Sequence, residues 1–161
     1  MLPNFRWPEP EHETDAKLIS DVKTYGWHVL RVFADQGGPD FAYSVGLFLN
    51  YGHPEVIIIG LDADVAHKII NTIGEGCAQG EAFHAGRRTD RLLKGYDACF
   101  VDVAFNHYSD YFGYAIWFYS SSDQPFPAVQ MVWPDRGGRL PWEEGYDAAF
   151  SSVQPVLAHL Q

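Results

Sequence analysis

The chain has 161 residues and a formal net charge of −10, and 47% of its residues are hydrophobic, 20% charged and 16% aromatic. This composition is typical of one globular domain with a full hydrophobic core, and it excludes an intrinsically disordered chain. The negative charge repels phosphate backbones and argues against nucleic-acid binding, and the longest apolar run, residues 56–61, is too short to cross a membrane.

Apolar periodicity and turn residues predict a flexible or extended lead-in over residues 1–13 and a single domain over residues 14–161. Thr14 and Asp62 are the predicted N-caps of two helices. The predicted elements in chain order are a helix over 15–25, strands over 27–33 and 41–48 joined by a turn at 35–40, a strand over 56–61, a helix after Asp62, a loop-rich segment over 75–97, a strand over 98–105, a helix over 107–119, a strand over 128–133 and a partly helical tail over 147–160.

These elements alternate without a strict βαβ rhythm, which favours an α+β fold. We expect a single compact domain in which a mostly antiparallel or mixed sheet is packed by two or three helices. The run over residues 56–61 is apolar on both faces, so it is predicted as a central strand covered on both sides.

His53 and Glu55 are the first candidate site residues. They match the H-x-E half of a zinc deaminase signature, but the chain lacks the P-C-x-x-C half. Residues two apart share one side of an extended segment, which would suit a base held by a carboxylate or two metal ligands. The alternative is a structural loop histidine with Glu55 in solvent.

His107 and Tyr111 lie at the start of the predicted aromatic helix. A helix N-terminus would lower the pKa of His107 and leave a neutral imidazole; the alternative is a polar helix start without further role. Tyr43 and Ser44 lie in a predicted strand, and the flanking residues do not form a G-x-S-x-G nucleophile elbow, so a structural hydroxyl is favoured.

The stretch "QMVWPDRGGRLPW", residues 130–142, predicts a rigid aromatic corner. Gln130 sits in the last predicted strand, where a buried amide must bond either a loop backbone or a ligand. Asp135 begins a glycine-containing turn that brings Trp142 back towards Trp133. The candidate pocket therefore consists of Tyr43, Ser44, His53, Glu55, His107, Tyr111, Gln130, Trp133, Asp135 and Trp142.

Arg87, Arg88 and Arg91, together with Lys94, form the only basic run of this acidic chain. They are a candidate anion-binding group, and the alternative is a solvated, ion-paired surface. No histidines pair at i, i+4, so no metal site is predicted, and no motif identifies a cofactor.

Five stretches carry a resemblance to a known family: "YGWHVLRV", "FAYSVGL", "GHPEVIIIGL", "YFGYAIWFY" and "VQMVWPDRGGRLPW". In this order they resemble DUF4262, a bacterial domain of unknown function, from about Asp15 to Tyr146. Members usually have Thr where Ser44 stands and Phe where Leu140 stands. The resemblance implies a small bacterial cytosolic protein and supplies no established activity.

Two functional hypotheses follow. The charge, the aromatic content and the lack of a complete catalytic signature favour a protein-binding module, an inhibitor or immunity-type partner. The alternative is a small-ligand-binding protein or enzyme with a cleft lined by His, Glu and Tyr. A homo-oligomer with the aromatic corner as its interface is also considered. Two isolated cysteines, Cys77 and Cys99, and the absence of an apolar N-terminal signal region lead us to expect a cytoplasmic protein with no membrane or nucleic-acid partner.

Overall fold

A six-stranded mixed sheet organises the part of the chain that the computed structural model describes, residues 2–34 and 38–159. The strand order is β1-β2-β3-β6-β5-β4. Only the central pair β3–β6 is parallel. The strands are β1 His28–Val32, β2 Phe41–Val45, β3 Glu55–Ile59, β4 Arg88–Leu93, β5 Tyr96–Asp102 and β6 Ala128–Val132.

Helices cover both faces of this sheet. They are α1 Glu13–Tyr25, α2 Leu47–Tyr51, α3 Ala63–Ala78, α4 Tyr108–Tyr111 and α5 Gly113–Phe118, with 3₁₀ turns at Phe105–His107 and Ala148–Phe150. On one face α1, α4 and α5 pack their apolar residues against Ile57 and Ile59. On the other face α3 packs against Val56 and Ile58. The predicted α+β class is therefore confirmed.

Strand β3 lies at the centre of this core, as its sequence predicts. All five of its residues are buried, and its neighbours in the sheet are β2 and β6. Asp62 caps the helix that follows, because its side chain accepts hydrogen bonds from the amides of Asp64 and Val65. That predicted cap is confirmed.

The first helix begins one residue before the predicted cap. The helix starts at Glu13 with His12 as its N-cap, and Asp15 Oδ2 accepts hydrogen bonds from the amides of Glu11 and His12. Asp15 therefore reaches back over the preceding residues, and the prediction of Thr14 as the cap is wrong.

The strand predicted over 41–48 ends at Val45. Gly46 follows with φ of 115°, a left-handed conformation that favours glycine, and α2 begins at Leu47. A Cβ at Gly46 would lie 2.8 Å from the carbonyl oxygen of Gly26, so the close approach of two backbones also requires glycine here. The turn predicted at 35–40 includes residues 35–37, which lie outside the described residues.

Two later predictions are also corrected. The segment over 75–97 contains strand β4, an edge strand whose three charged residues are exposed and do not alternate with apolar ones, so its sequence gives no strand pattern. The helix predicted over 107–119 is broken at Phe112, whose ψ of 36° is non-helical. Two short helices and a 3₁₀ turn replace it, which lets the aromatic side chains of this segment pack inward.

Residues 2–12, part of the predicted lead-in, contain no helix or strand. They pack their aromatic rings on the core: the centroids of Phe5 and Trp7 lie 5.2 and 5.7 Å from that of Phe118. This segment therefore belongs to the layer formed by α5.

Candidate functional site

Glu55 is fully buried, and its carboxylate accepts five hydrogen bonds. The donors are Ser44 Oγ at 2.7 Å, the amides of Gly46, Leu47 and Phe48 at 2.9, 3.3 and 3.2 Å, and the Tyr119 hydroxyl at 2.5 Å. Strand β3 places the carboxylate beneath the first turn of α2, where these amides have no partner within the helix.

Both oxygens of the Glu55 carboxylate accept hydrogen bonds from groups inside the protein. Burial raises the pKa of Glu55, and the hydrogen bonds from Tyr119, Ser44 and the amides oppose that rise. Three of the five donors are backbone N–H groups, which can only donate. The carboxylate therefore ties α2 and α5 to the central strand, and it has no oxygen free for a ligand.

His53 is not paired with Glu55. Its Nδ1 lies 2.7 Å from the carbonyl oxygen of Pro54, and its Nε2 accepts a hydrogen bond of 2.9 Å from the amide of Phe83. These two bonds define the neutral tautomer with the proton on Nδ1, and burial lowers the pKa of His53. The prediction that His53 and Glu55 act from one side of an extended segment is wrong, since each side chain has its own backbone partners. The alternative is wrong for Glu55, which is fully buried and not in solvent.

Gln130 is fully buried and bonds the C-terminal tail. Its Nε2 donates to the carbonyl oxygen of Pro155 over 2.9 Å, and its Oε1 accepts from the amide of Leu157 over 2.8 Å. Gln154 binds Trp133 in the same manner, because its amide pairs with both backbone groups of Trp133. Two roles were predicted for Gln130, bonding a loop backbone or bonding a ligand, and the structure shows the first.

The aromatic corner differs from its prediction in one contact. The Trp133 ring packs edge-on against Phe150, with centroids 5.7 Å apart, and its Nε1 donates to the carbonyl oxygen of Ile59. Trp142 is 51% exposed, so the predicted packing of Trp142 on Trp133 is wrong. Asp135 is buried and holds the turn through the amides of Gly137, Arg139 and Asp147, each at 2.9 Å.

The remaining candidate residues are Tyr43 on β2, Tyr111 on α4 and His107 in the 3₁₀ turn before α4. The Tyr43 hydroxyl accepts a hydrogen bond of 3.0 Å from the amide of Tyr114, and Tyr111 packs edge-on against Phe41. His107 ends the first 3₁₀ turn, directly before Tyr108, on the opposite sheet face from the Phe83 contact of His53. The structure therefore does not bring His53 and His107 together.

The three arginines of the basic run are ion-paired. Arg87 and Arg91 bind Glu81 at 2.6 Å, and Arg88 binds Asp97 at 3.0 Å. Their guanidinium charges are thus matched by neighbouring carboxylates.

A largely apolar cavity lies where the 3₁₀ turn, α5 and the loop before β6 meet. It has a volume of about 490 Å³, within the range of small-ligand and peptide side-chain sites. We call it the aromatic groove and define it by its main lining residues, Phe105, Tyr108, Ile116, Tyr119, Asp123 and Phe126. Phe105 is 63% and Ile116 43% exposed, which is unusual for two large apolar side chains that line one cavity.

The wall of the aromatic groove is held rigidly. Ring centroids of Tyr108 and Tyr119 lie 4.9 and 5.2 Å from that of Phe126. The Tyr108 hydroxyl donates to the Phe126 carbonyl oxygen at 2.8 Å, and the Tyr119 hydroxyl is bonded to Glu55. A candidate residue of the sequence, Glu55, therefore fixes the groove from below without lining it.

The charge around the aromatic groove is negative. Residues 95–135 contain no Lys or Arg, and this segment supplies the whole groove lining. Its carboxylates include Asp123 in the lining, Asp110 on α4 and Asp102 at the end of β5. The N-terminal segment brings Arg6 to this border, where its backbone N–H bonds Ser121 Oγ.

One feature of the sequence indicates this groove, and it is a matter of composition and not of apolar periodicity. A stretch of 95–135 free of basic residues and rich in Phe and Tyr indicates a distinct surface. The apolar pattern does not predict which of these aromatic residues is exposed, because it predicts one continuous helix where the structure has a 3₁₀ turn and two short helices.

Within residues 2–34 and 38–159, no three His, Cys, Asp or Glu side chains cluster in a way that could hold a metal ion. Over the same residues, no helix is both long and apolar enough to span a membrane.

Comparison with curated proteins and with solved structures finds no match. The model of one protein family, the domain of unknown function DUF4262, matches residues 21–147. Since this match covers most of the chain, the protein belongs to the DUF4262 family.

Proposed function

We propose that this protein is a protein-binding module whose aromatic groove receives a basic segment of another protein. The observation that carries the proposal is that Phe105 and Ile116 are exposed within a chain segment, residues 95–135, that contains carboxylates and no basic residue. Exposed aromatic and aliphatic side chains in a cavity are typical anchors of protein interfaces. The acidic border selects a partner that carries Lys or Arg next to its apolar anchor.

Charge also argues against a second copy of this chain as the occupant. Each copy has a net charge of −10, so two acidic grooves or surfaces would repel one another. An inhibitor or immunity-type role, in which an acidic protein masks a basic one, fits this polarity. We place this role in the bacterial cytoplasm, in keeping with two buried, unpaired cysteines.

The proposal can be tested by selecting short linear peptides from a display library against the wild-type protein. We expect enriched peptides to carry an aromatic or aliphatic residue beside Lys or Arg. A Phe105→Ser/Ile116→Ser variant should bind the synthesised peptides at least about tenfold more weakly, since it removes the apolar anchors. Trp142→Ser is the matched control, because Trp142 is an exposed aromatic residue outside the groove.

A further change tests the charge. Asp123→Asn should weaken peptide binding and reduce its salt dependence, because it removes a negative charge from the groove lining. Enriched peptides that lack basic residues, or that bind the groove variant as tightly as the wild type, would overturn the proposal. Self-association detected by analytical ultracentrifugation and abolished by the groove variant would overturn it in favour of a homo-oligomer.

A further inference from the structure

A second, polar cleft lies between α1 and α3, over the edge strand β1, and shares no lining residue with the aromatic groove. Its volume is about 500 Å³. Each helix contributes three side chains spaced four residues apart, which places them on one helix face. These side chains are Lys17, Asp21 and Tyr25 on α1, and His67, Asn71 and Glu75 on α3.

An Asp–His pair lies at the centre of this cleft. His28 Nδ1 is 2.7 Å from Asp21 Oδ2, and the two side chains are 17% and 15% exposed. The carboxylate holds the proton on Nδ1 and leaves the lone pair of Nε2 unprotonated. Lys17 Nζ lies 2.8 Å from the other oxygen of Asp21.

The electrostatics maintain these protonation states at neutral pH. Burial alone would raise the pKa of Asp21, but the hydrogen bonds from Lys17 and His28 outweigh it, so the pKa is lowered and the carboxylate is ionised. Burial lowers the pKa of His28, and Asp21 only partly opposes this effect. The imidazole is therefore a neutral proton acceptor.

His28 differs from the structural histidine His53 in one respect. Both ring nitrogens of His53 are bonded to backbone groups. Among the described residues, nothing bonds Nε2 of His28, although the side chain lines the cleft. This nitrogen is available to a ligand that donates a hydrogen bond.

The opposite wall of the cleft offers a donor. Trp27 Nε1 donates to Asn71 Oδ1 over 3.0 Å, which orients the amide and directs its Nδ2 donor away from Trp27. A ligand hydroxyl group can donate to His28 Nε2 and accept from an amide at the same time. The rings of Tyr25 and Trp27 add apolar surface beside these polar groups.

The charges of the cleft select against ionised ligands. Lys17 and Arg31 line the cleft, but Lys17 is paired with Asp21 at 2.8 Å and Arg31 with Asp64 at 2.6 Å. A phosphate or carboxylate ligand would have to break one of these ion pairs, and an ammonium ligand would lie close to both cations. We propose that this cleft is a binding site for a small, neutral, polyhydroxylated molecule, with His28 as the acceptor of a ligand hydroxyl and Asp21 as the residue that positions it.

The test is an NMR titration of the wild-type protein with glycerol, D-glucose and myo-inositol, monitored at the imidazole of His28 and the indole N–H of Trp27. We expect saturable shifts of both signals with at least one of these polyols. Glucosamine and glucose 6-phosphate are matched probes with one positive or negative charge, and they should bind at least about tenfold more weakly than glucose, a difference of about 1.4 kcal/mol.

Two variants of the cleft and one control separate positioning from a structural role. His28→Gln should abolish the shift at Trp27, whereas His107→Gln, outside the cleft, should leave it unchanged. Asp21→Ala should change the tautomer of His28, visible in its ¹⁵N shifts, and weaken polyol binding. The proposal is overturned if the folded wild-type protein shows no saturable shift at His28 with any of the three polyols, or if a charged analogue binds more tightly than glucose.

Discussion

The hydroxyl of Tyr119 donates a hydrogen bond to Glu55, 64 residues away in the chain, while it accepts one from the amide of Leu49. This single hydroxyl connects α5, α2 and the central strand β3. Tyr119 also lines the aromatic groove, so the proposed docking surface and the buried carboxylate form one continuous structure. Changes in the core network are therefore expected to alter both stability and the shape of the groove.

The first prediction concerns Glu55→Gln, which replaces one acceptor oxygen by an NH₂ donor. In either orientation the new donor faces a backbone N–H, that of Leu47 at one oxygen position or those of Gly46 and Phe48 at the other. We expect the free energy of unfolding to fall by about 3 kcal/mol, measured by urea denaturation. Glu144→Gln, the same change at an exposed position, should have almost no effect. Equal losses in the two variants would contradict the role of Glu55.

A pair of Tyr→Phe variants provides the second prediction. Tyr119→Phe leaves the Leu49 amide without an acceptor and removes a donor from Glu55, so it should cost about 1–3 kcal/mol of unfolding free energy. Tyr146→Phe removes a hydroxyl that is buried and has no hydrogen-bond partner among the described residues. This second variant should be as stable as the wild type or more stable, in the same denaturation experiment. The reverse order of stabilities would show that the two hydroxyls have been assigned wrongly.

The third prediction is a pH dependence that originates at His53. Burial lowers the pKa of folded His53 below its unfolded value of 6.5, and the amide of Phe83 needs the lone pair of the neutral ring. Well above pH 6.5 both states are neutral and the contribution of His53 to stability is complete. As the pH falls from 6.5 towards the folded pKa, the unfolded state binds the proton first and stability is lost.

The matched variant for this effect is His53→Gln, which cannot titrate. His28 and His67 also have lowered pKa values, so the wild type and the variant should both lose stability on acidification. The loss should be smaller in the variant, and the difference between the two curves should be constant well above pH 6.5. Parallel curves over the whole range would exclude His53 as a source of the pH dependence.

The fourth prediction concerns the anchor of the C-terminal tail. In Gln130→Glu the Nε2 donor is replaced by a carboxylate oxygen, which faces the carbonyl oxygen of Pro155. The tail should detach locally, so that the amide of Leu157 exchanges its hydrogen faster, with a loss of about 2 kcal/mol in local protection. Gln79→Glu, the same change at an exposed position, should leave this amide protected. Unchanged exchange at Leu157 in the Gln130 variant would contradict the anchoring role.

These residues also show how far the sequence alone could predict the molecule. The apolar run of β3 and the cap at Asp62 depend on neighbours in the chain, and the structure has both. Buried Gln130 could be predicted to need backbone partners, because an unpaired amide is costly, but the partners themselves lie 25 and 27 residues further along the chain. Local patterns predict the need for such partners and do not identify them.

The candidate sites were harder to predict for the same reason. His53 and Glu55 looked like a functional pair because they are close in sequence, yet each is satisfied by distant backbone groups. The pair that faces a cleft, Asp21 and His28, spans the end of α1, a glycine and the start of β1, so its contact depends on the turn at Gly26. Side-chain proximity across a turn is a tertiary property, which residue spacing does not encode.

The last prediction concerns Gly74 of α3, where the Trp27 ring packs directly on the helix backbone. A Cβ at Gly74 would lie 2.5 Å from Trp27 Cε2, closer than two carbon atoms can approach. Gly74→Ala should gain about 1 kcal/mol from helix propensity but lose about 1–3 kcal/mol through overpacking, and the displaced indole would lose its bond to Asn71. We therefore expect net destabilisation and a changed Trp27 indole N–H signal by NMR. Gly113→Ala is the matched control, since a Cβ there meets nothing within 4 Å. That variant should be as stable as the wild type or up to about 1 kcal/mol more stable, and a stabilised Gly74→Ala with an unshifted Trp27 signal would refute the contact.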